Sequence, residues 1–242
     1  MPAASPDRAA RRARNPAWLA WPAIALLVGL GSWQLQRAHW KEALIATMEA
    51  RLAAPPVALP ERLDAAAVEA LGYRRVGLRG RFLHSREMLV APRTYQGRVG
   101  AELVTPFETE DGRVVLVDRG WVPDAAMAPA RRPESRGEGT VALDGVVRPP
   151  PSPNPFTPAN DPAHGAWYWI DPQAMARAAG IAPLPFTIAA LAGEGGGGAL
   201  PLARPARIEL RNAHLYYALT WYALAVALGV VYLLFRRGAR RA

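Results

Sequence analysis

The chain has 242 residues, no cysteine and a formal net charge of +9. The lack of cysteine excludes disulfides, thiolate metal sites, iron–sulfur clusters, cysteine nucleophiles and covalent c-type haem attachment. A basic chain suits nucleic acid, but +3 of the charge lies before residue 15 and +4 after residue 235, leaving +2 between them. That distribution argues against nucleic acid and for two basic membrane flanks.

The first predicted element runs from about Trp18 to Leu35, 18 residues without a charge, and its apolar counterpart covers 21 residues from Leu215 to Phe235. At ~1.5 Å per residue the second reaches ~30 Å, the thickness of a bilayer core. Arg8, Arg11, Arg12 and Arg14 precede the first span, and Arg236, Arg237, Arg240 and Arg241 follow the second. Basic flanks mark cytoplasmic ends, so both termini are expected in the cytoplasm, with the intervening domain across the inner membrane in the bacterial periplasm. No small-x-small cleavage site follows the first span, which therefore reads as an uncleaved anchor. The expected organisation is a basic tail (1–17), a transmembrane helix (18–36), a periplasmic domain (37–213), a second transmembrane helix (214–235) and a basic tail (236–242).

Three- and four-residue apolar steps continue the first helix to about Leu52, and Pro55 and Pro56 end it. A short helix is predicted from Asp64 to Leu71, capped by Asp64 and stopped by Gly72. Strand patterns follow at 73–82, 87–91, 101–107, 114–118 and 141–147, separated by turn signals at Gln96-Gly97 and Asp111-Gly112. Seven prolines between Pro149 and Pro162 predict an extended crossing that stays out of the sheet. A second short helix starts at Asp171-Pro172 and stops at Gly180. A last hairpin is expected from 186–191 and 206–210 around a Gly-rich loop. The fold class is thus a membrane protein in which two transmembrane α-helices flank a periplasmic α+β domain, mainly an antiparallel β sheet or barrel.

Signatures of catalysis are lacking: the sequence has no nucleophile elbow, zincin helix, Walker loop or dinucleotide fingerprint. Its four histidines, His39, His84, His164 and His214, show no metal-ligand spacing. The expectation is a non-enzyme.

The informative polar residues stand where the spans leave the membrane. The first span ends Gly31-Ser32-Trp33-Gln34-Leu35-Gln36-Arg37, and the second begins Asn212-Ala213-His214. In a hairpin of two helices these clusters share a depth. His214, Tyr217, Ala218 and Trp221 fall on one face of the second helix, and Gly29, Trp33, Arg37 and Trp40 on one face of the first. An imidazole, small residues, aromatic walls and arginines suit a lipophilic tetrapyrrole with iron, although such residues at a span end are more often an ordinary interfacial belt. His39, close to Arg37, is a further candidate for an axial position.

At these residues the sequence resembles the Surfeit locus one family of cytochrome c oxidase assembly proteins. Leu30-Gly31-Ser32-Trp33-Gln34…Arg37…Lys41 is similar to that family's Leu-Gly-x-Trp-Gln-x-x-Arg-x-x-x-Lys. Further matching blocks are Tyr73-Arg74-Arg75-Val76, Gly80-Arg81-Phe82, Thr105-Pro106-Phe107 and Asp118-Arg119-Gly120-Trp121-Val122-Pro123. Asn212-Ala213-His214-Leu215…Tyr217-Ala218…Thr220-Trp221 resembles the last motif, with Ala213 where a second Asn is common.

The resemblance implies a bacterial assembly factor for haem-copper, aa3-type cytochrome c oxidase that binds haem a and aids its insertion into subunit I. It implies His214 as axial ligand of the haem iron, with subunit I, a haem a synthase and the lipid bilayer as partners. Trp33, Gln34, Arg37, Tyr217, Ala218 and Trp221 are the expected haem neighbours, by geometry. The alternative is a cofactor-free scaffold that stabilises subunit I, docking through Trp167-Tyr168-Trp169 and the proline segment. Aromatics are frequent in strands, so the core or an edge strand is the favoured place for those three. Arg119-Gly120-Trp121 reads structurally, as a strand end, a tight turn and a Trp packed on the sheet.

Overall fold

The computed structural model describes residues 17–151, 153–192, 200–203 and 212–241. The basic tail up to residue 16, the Gly-rich loop at 193–198 and the expected strand at 206–210 lie outside the described residues. The chain divides into two compact units, one drawn from Met1–Thr47 and Glu209–Ala242, the other from Met48–Ile208. The second unit lies inside the stretch 37–213 expected for the central domain.

Helix α1 (Ala17–Ala53), which belongs to the first unit up to Thr47, is continuous over 37 residues, as its unbroken apolar steps predict. Helix α4 (His214–Arg241) has 28 residues. Both are long and apolar enough to cross a membrane, so the chain is a membrane protein with one such helix before and one after its central domain in the sequence. They run antiparallel: Gln34 meets His214, Ser32 meets Tyr222, and Trp21 meets Tyr232 edge-on. Buried Gly31 and Ala38 on α1, and Ala218, Ala225 and Tyr232 on α4, recur at seven-residue steps. That is the spacing of a helix–helix seam, and small side chains there let two backbones approach closely where lipid supplies no hydrophobic drive.

The second unit is built on six strands: β1 (Arg75–Phe82), β2 (Met88–Tyr95), β3 (Arg98–Thr109), β4 (Val114–Pro123), β5 (Val141–Arg148) and β6 (Pro183–Ala190). Their order is β1-β5-β6-β4-β3-β2, and β1 also pairs with β3. Strands β1, β5, β6, β4 and β3 thereby close a ring, and β2 pairs on the first half of β3. All pairings are antiparallel except β4–β6. Setting β2 aside, this is the ring order 1-2-3-5-4-1 with a parallel third and fifth strand, the connectivity of OB-type Greek-key barrels. Alternate residues fill the barrel: Val76, Leu78, Phe107, Val115, Val117, Leu143, Val147, Phe186 and Ile188.

β3 is buried on both faces, because helix α3 (Pro172–Ala179) and Trp167 cover its outside. Val90, Val104, Leu116, Trp167 and Met175 form that second core. Trp167 thus belongs to the interior, paired through its backbone with Val90. Helix α2 (Ala65–Leu71) carries the expected Asp64 cap, whose carboxylate accepts from the Ala67 amide at 2.8 Å. It stops at Gly72, as expected, though not through a left-handed glycine. Gly72 keeps φ −50°, and Tyr73 takes the left-handed conformation at φ 62°.

Arg119-Gly120-Trp121 also differs from expectation. The block lies within β4, not at a turn, at a register shift where the β3 pairing passes from Glu102↔Trp121 to Val104↔Asp118. Gly120 has φ 117° because a β-bulge, with its extra residue, demands a conformation only glycine adopts freely. Trp121 is buried, as expected, and its indole N–H donates to the Arg93 carbonyl at 3.1 Å.

Candidate functional site in the helix seam

The polar groups of the first unit converge at one level of the seam. Asn212 precedes α4, donates from its Nδ2 to the Ala38 carbonyl at 3.2 Å, and accepts the His214 amide at Oδ1 at 3.4 Å. One side chain thus caps α4 and ties it to α1. Two residues on, His214 Nδ1 lies 2.7 Å from Gln34 Oε1. An amide oxygen only accepts, so Nδ1 carries the proton and donates. Among the described residues Nε2 makes no hydrogen bond. Deeper in the seam, the hydroxyls of Ser32 and Tyr222 meet at 3.0 Å beside Gly31.

Of the residues expected around an iron ligand, the seam brings together Gln34 and His214, with Ala218 buried and Trp221 half-buried along the same side of α4. Trp33, Arg37 and Tyr217 stand elsewhere. Trp33 and Tyr217 are exposed, and the Arg37 guanidinium lies 4.0 Å over the exposed Trp40 ring. The expected pairing of His214 with the Trp33–Arg37 face is therefore corrected. At ~100° per residue, Gly31, Gln34 and Ala38 share the side facing α4, and Trp33, Arg37 and Trp40 point away from it. Gly29 is expected, with Ala218, as a small residue of the site, yet a Cβ added to it would meet nothing within 4 Å, whereas Gly31 abuts Tyr222. His39 is likewise exposed. The seven-residue spacing of Gly31 with Ala38 and of Ala218 with Ala225 is the signal in the sequence that identifies the packed faces.

In the second unit, a cluster of charges buttresses β4 from outside. Arg132 is fully buried and clasps Glu87 with Nη2 at 2.7 Å and Nη1 at 3.1 Å, while its Nε donates to the Ala126 carbonyl. Arg119 donates to the Ser135 carbonyl at 2.5 Å and stacks 4.4 Å over Phe82. Burial lowers its guanidinium to about 10, against the pull of Glu87. His84 packs on the same Phe82 ring, and burial lowers its pKa, helped by Arg119 and Arg136. Nothing in the sequence signals the Arg132–Glu87 pair, whose members lie 45 positions apart. Among the described residues no group of three His, Cys, Asp or Glu side chains could hold a metal ion.

Fold and seam define a membrane protein with an OB-type barrel encoded between two apolar helices in the sequence, and one histidine gripped where those helices meet. The chain belongs to the SURF1 family: that family's sequence model matches residues 22–226. It is 40% identical to a SURF1-like protein of Monosiga brevicollis over 96% of this chain and 92% of the relative. It is 39% identical to Surfeit locus protein 1 of Mus musculus, over 97% and 80% of the two chains. Surfeit locus protein 1 of Homo sapiens is 38% identical, over 97% and 82%.

Proposed function

We propose that the protein is an assembly factor for haem-copper, aa3-type cytochrome c oxidase, and that it binds haem a through His214 and presents it to subunit I. It acts without catalysing a reaction, from the bacterial inner membrane, with both termini cytoplasmic and the barrel periplasmic. Subunit I, a haem a synthase and the surrounding lipid are its partners. The observation that carries the reading is His214 itself. Its ring is held through Nδ1 in a seam between apolar helices, and Nε2 keeps a lone pair with no partner among the described residues.

The residues present fit such a cargo. A neutral imidazole is the commonest protein ligand for haem iron, and the apolar lengths of α1 and α4 suit a lipophilic ring. Asn212 sets the start of α4 and so the position of His214. Gln34 holds the ring, and buried Ala218, one turn on, keeps the helices close. Bound haem would supply the iron that the imidazole ligates.

The test is to produce wild type and His214→Ala in cells that make haem a and to record spectra of the purified proteins. Equal haem content in the two would refute the ligand assignment. A cofactor-free scaffold is the second reading, and Phe156 favours it. That ring is 94% exposed, on a turn closed by Asn154 through its side chain and its carbonyl. Wild-type protein that is haem-free yet bound to subunit I would support the scaffold.

A further inference from the structure

A histidine ligates a metal through one nitrogen, and the partner of its other nitrogen decides which one is available. Isolated neutral imidazole side chains divide between two tautomers. A site that depends on one of them needs an acceptor placed against the nitrogen that must stay protonated.

We propose that Gln34 is the positioning residue of His214: its Oε1 takes the Nδ1 proton and so fixes the tautomer whose Nε2 lone pair is free for a metal. The proposal rests on the reading of His214 as an iron ligand. Three features of the seam support it. The contact is short, 2.7 Å, between residues 180 positions apart, on two helices whose packing fixes both side chains. Gln34 lies one turn from buried Gly31 and Ala38, on the packed side of α1, which holds its amide against α4. Asn212 bonds both to the Ala38 carbonyl of α1 and to the His214 amide, so the level of His214 against Gln34 is set independently of the ring contact.

The choice of acceptor matters chemically. Metal-bound histidines commonly donate to a carboxylate or a carbonyl, and a carboxylate pulls the shared proton harder and makes the imidazole a stronger ligand. A neutral amide oxygen orients the ring while leaving its basicity lower. That combination suits a site that must present a defined nitrogen and also let its cargo go.

The test uses the full-length protein in detergent, free of haem, with nitrogen-labelled histidine at pH 8. The His214 signals are identified by their loss in His214→Ala. The expected result is a protonated Nδ1 and an unprotonated Nε2 in wild type, and a mixture shifted toward protonated Nε2 in Gln34→Leu. Haem titration should then show Gln34→Leu about 10- to 100-fold weaker, the range for lost orienting partners. Gln34→Glu should keep the wild-type tautomer, bind at least as tightly and lower the potential of the bound haem. A protonated Nε2 on His214 in haem-free wild type would overturn the proposal whatever the haem titration gives. The wild-type tautomer in a protein that binds no haem would overturn the ligand reading instead, and leave Gln34 as the residue that orients His214.

Discussion

Gly31 and Tyr222 are fitted together so closely that a Cβ on the glycine would lie 2.8 Å from Tyr222 Cε1. The same tyrosine hydroxyl meets Ser32 at 3.0 Å. An added methyl must therefore push the Tyr222 ring outward and break that hydrogen bond. In a bilayer such interhelical bonds contribute about 0.6 kcal/mol each, and close packing supplies much of the rest. Gly31→Ala should loosen the helix pair, and Gly31→Leu should separate it. Cross-linking by a bifunctional thiol reagent of cysteines introduced at Trp21 and Tyr232, whose ring centroids are 6.0 Å apart across the seam, should slow in that order. Tyr222→Ala combined with Gly31→Ala should restore much of the rate, because it removes the side chain the methyl would strike.

Arg132 and Glu87 form a pair whose arginine is fully buried. Removing one partner of such a pair leaves an uncompensated buried charge, which costs about 3–5 kcal/mol. Glu87→Gln should accordingly lower the melting temperature of the full-length protein by about 6–20 °C, at ~2–4 °C per kcal/mol for a unit of this size. Replacing both residues with apolar ones of similar size should cost far less than either single change, which a double-mutant cycle followed by thermal unfolding would read directly.

The β3–β4 turn carries an acid-sensitive contact. Asp111 accepts from the Arg113 Nε at 2.8 Å and from the Thr109 hydroxyl, and these bonds lower its pKa from 3.8 to about 2, with Arg113 the larger cause. A carboxyl whose pKa falls on folding adds stability above its unfolded value and loses it as pH drops toward the folded value. The contribution should thus be complete at neutral pH and fade between about pH 4 and pH 2. Asp111 is half exposed, so solvent screening reduces it to about 1 kcal/mol. Asp111→Asn should be less stable than wild type by roughly that amount at pH 7, and the gap should shrink to a small fraction by about pH 2, as denaturant titrations at the two pH values would show.

Much of this architecture follows from local sequence. The Asp64 and Asp171 caps, the Gly97 and Gly112 turns and the end of α1 before Pro55 depend on neighbours a few residues away, and they fall where residue chemistry places them. The helix faces are less legible. Gly29 and Gly31 are both small, and only the seven-residue step from Gly31 to Ala38 sets the packed one apart. The Trp33–Arg37 face reads as functional because aromatic and cationic side chains gather there, yet these same residue types suit a helix surface turned to lipid head groups. The parallel β4–β6 pairing and the closure of β1 on β3 join segments distant in sequence, which no short pattern encodes.

Gly120 gives the sharpest test of the barrel's own logic. Its φ of 117° lies in a region open to glycine, and a Cβ there would come 2.1 Å from the Leu202 carbonyl oxygen. That oxygen accepts from the Trp121 amide at 3.0 Å, and Leu202 donates back to the Trp121 carbonyl at 2.8 Å. A side chain at 120 therefore both strains its own backbone, at about 1–3 kcal/mol, and drives the 202 segment off the edge of β4. Gly120→Ala should cost several times what Gly112→Ala costs, although Gly112 also has a positive φ of 80°, because its added Cβ meets nothing within 4 Å. Thermal unfolding of the two variants measures the difference, and amide hydrogen exchange at Trp121 and Leu202 should accelerate only in Gly120→Ala. Equal losses in both variants would mean that backbone conformation alone, and not the close approach of the 202 segment, sets the requirement for glycine.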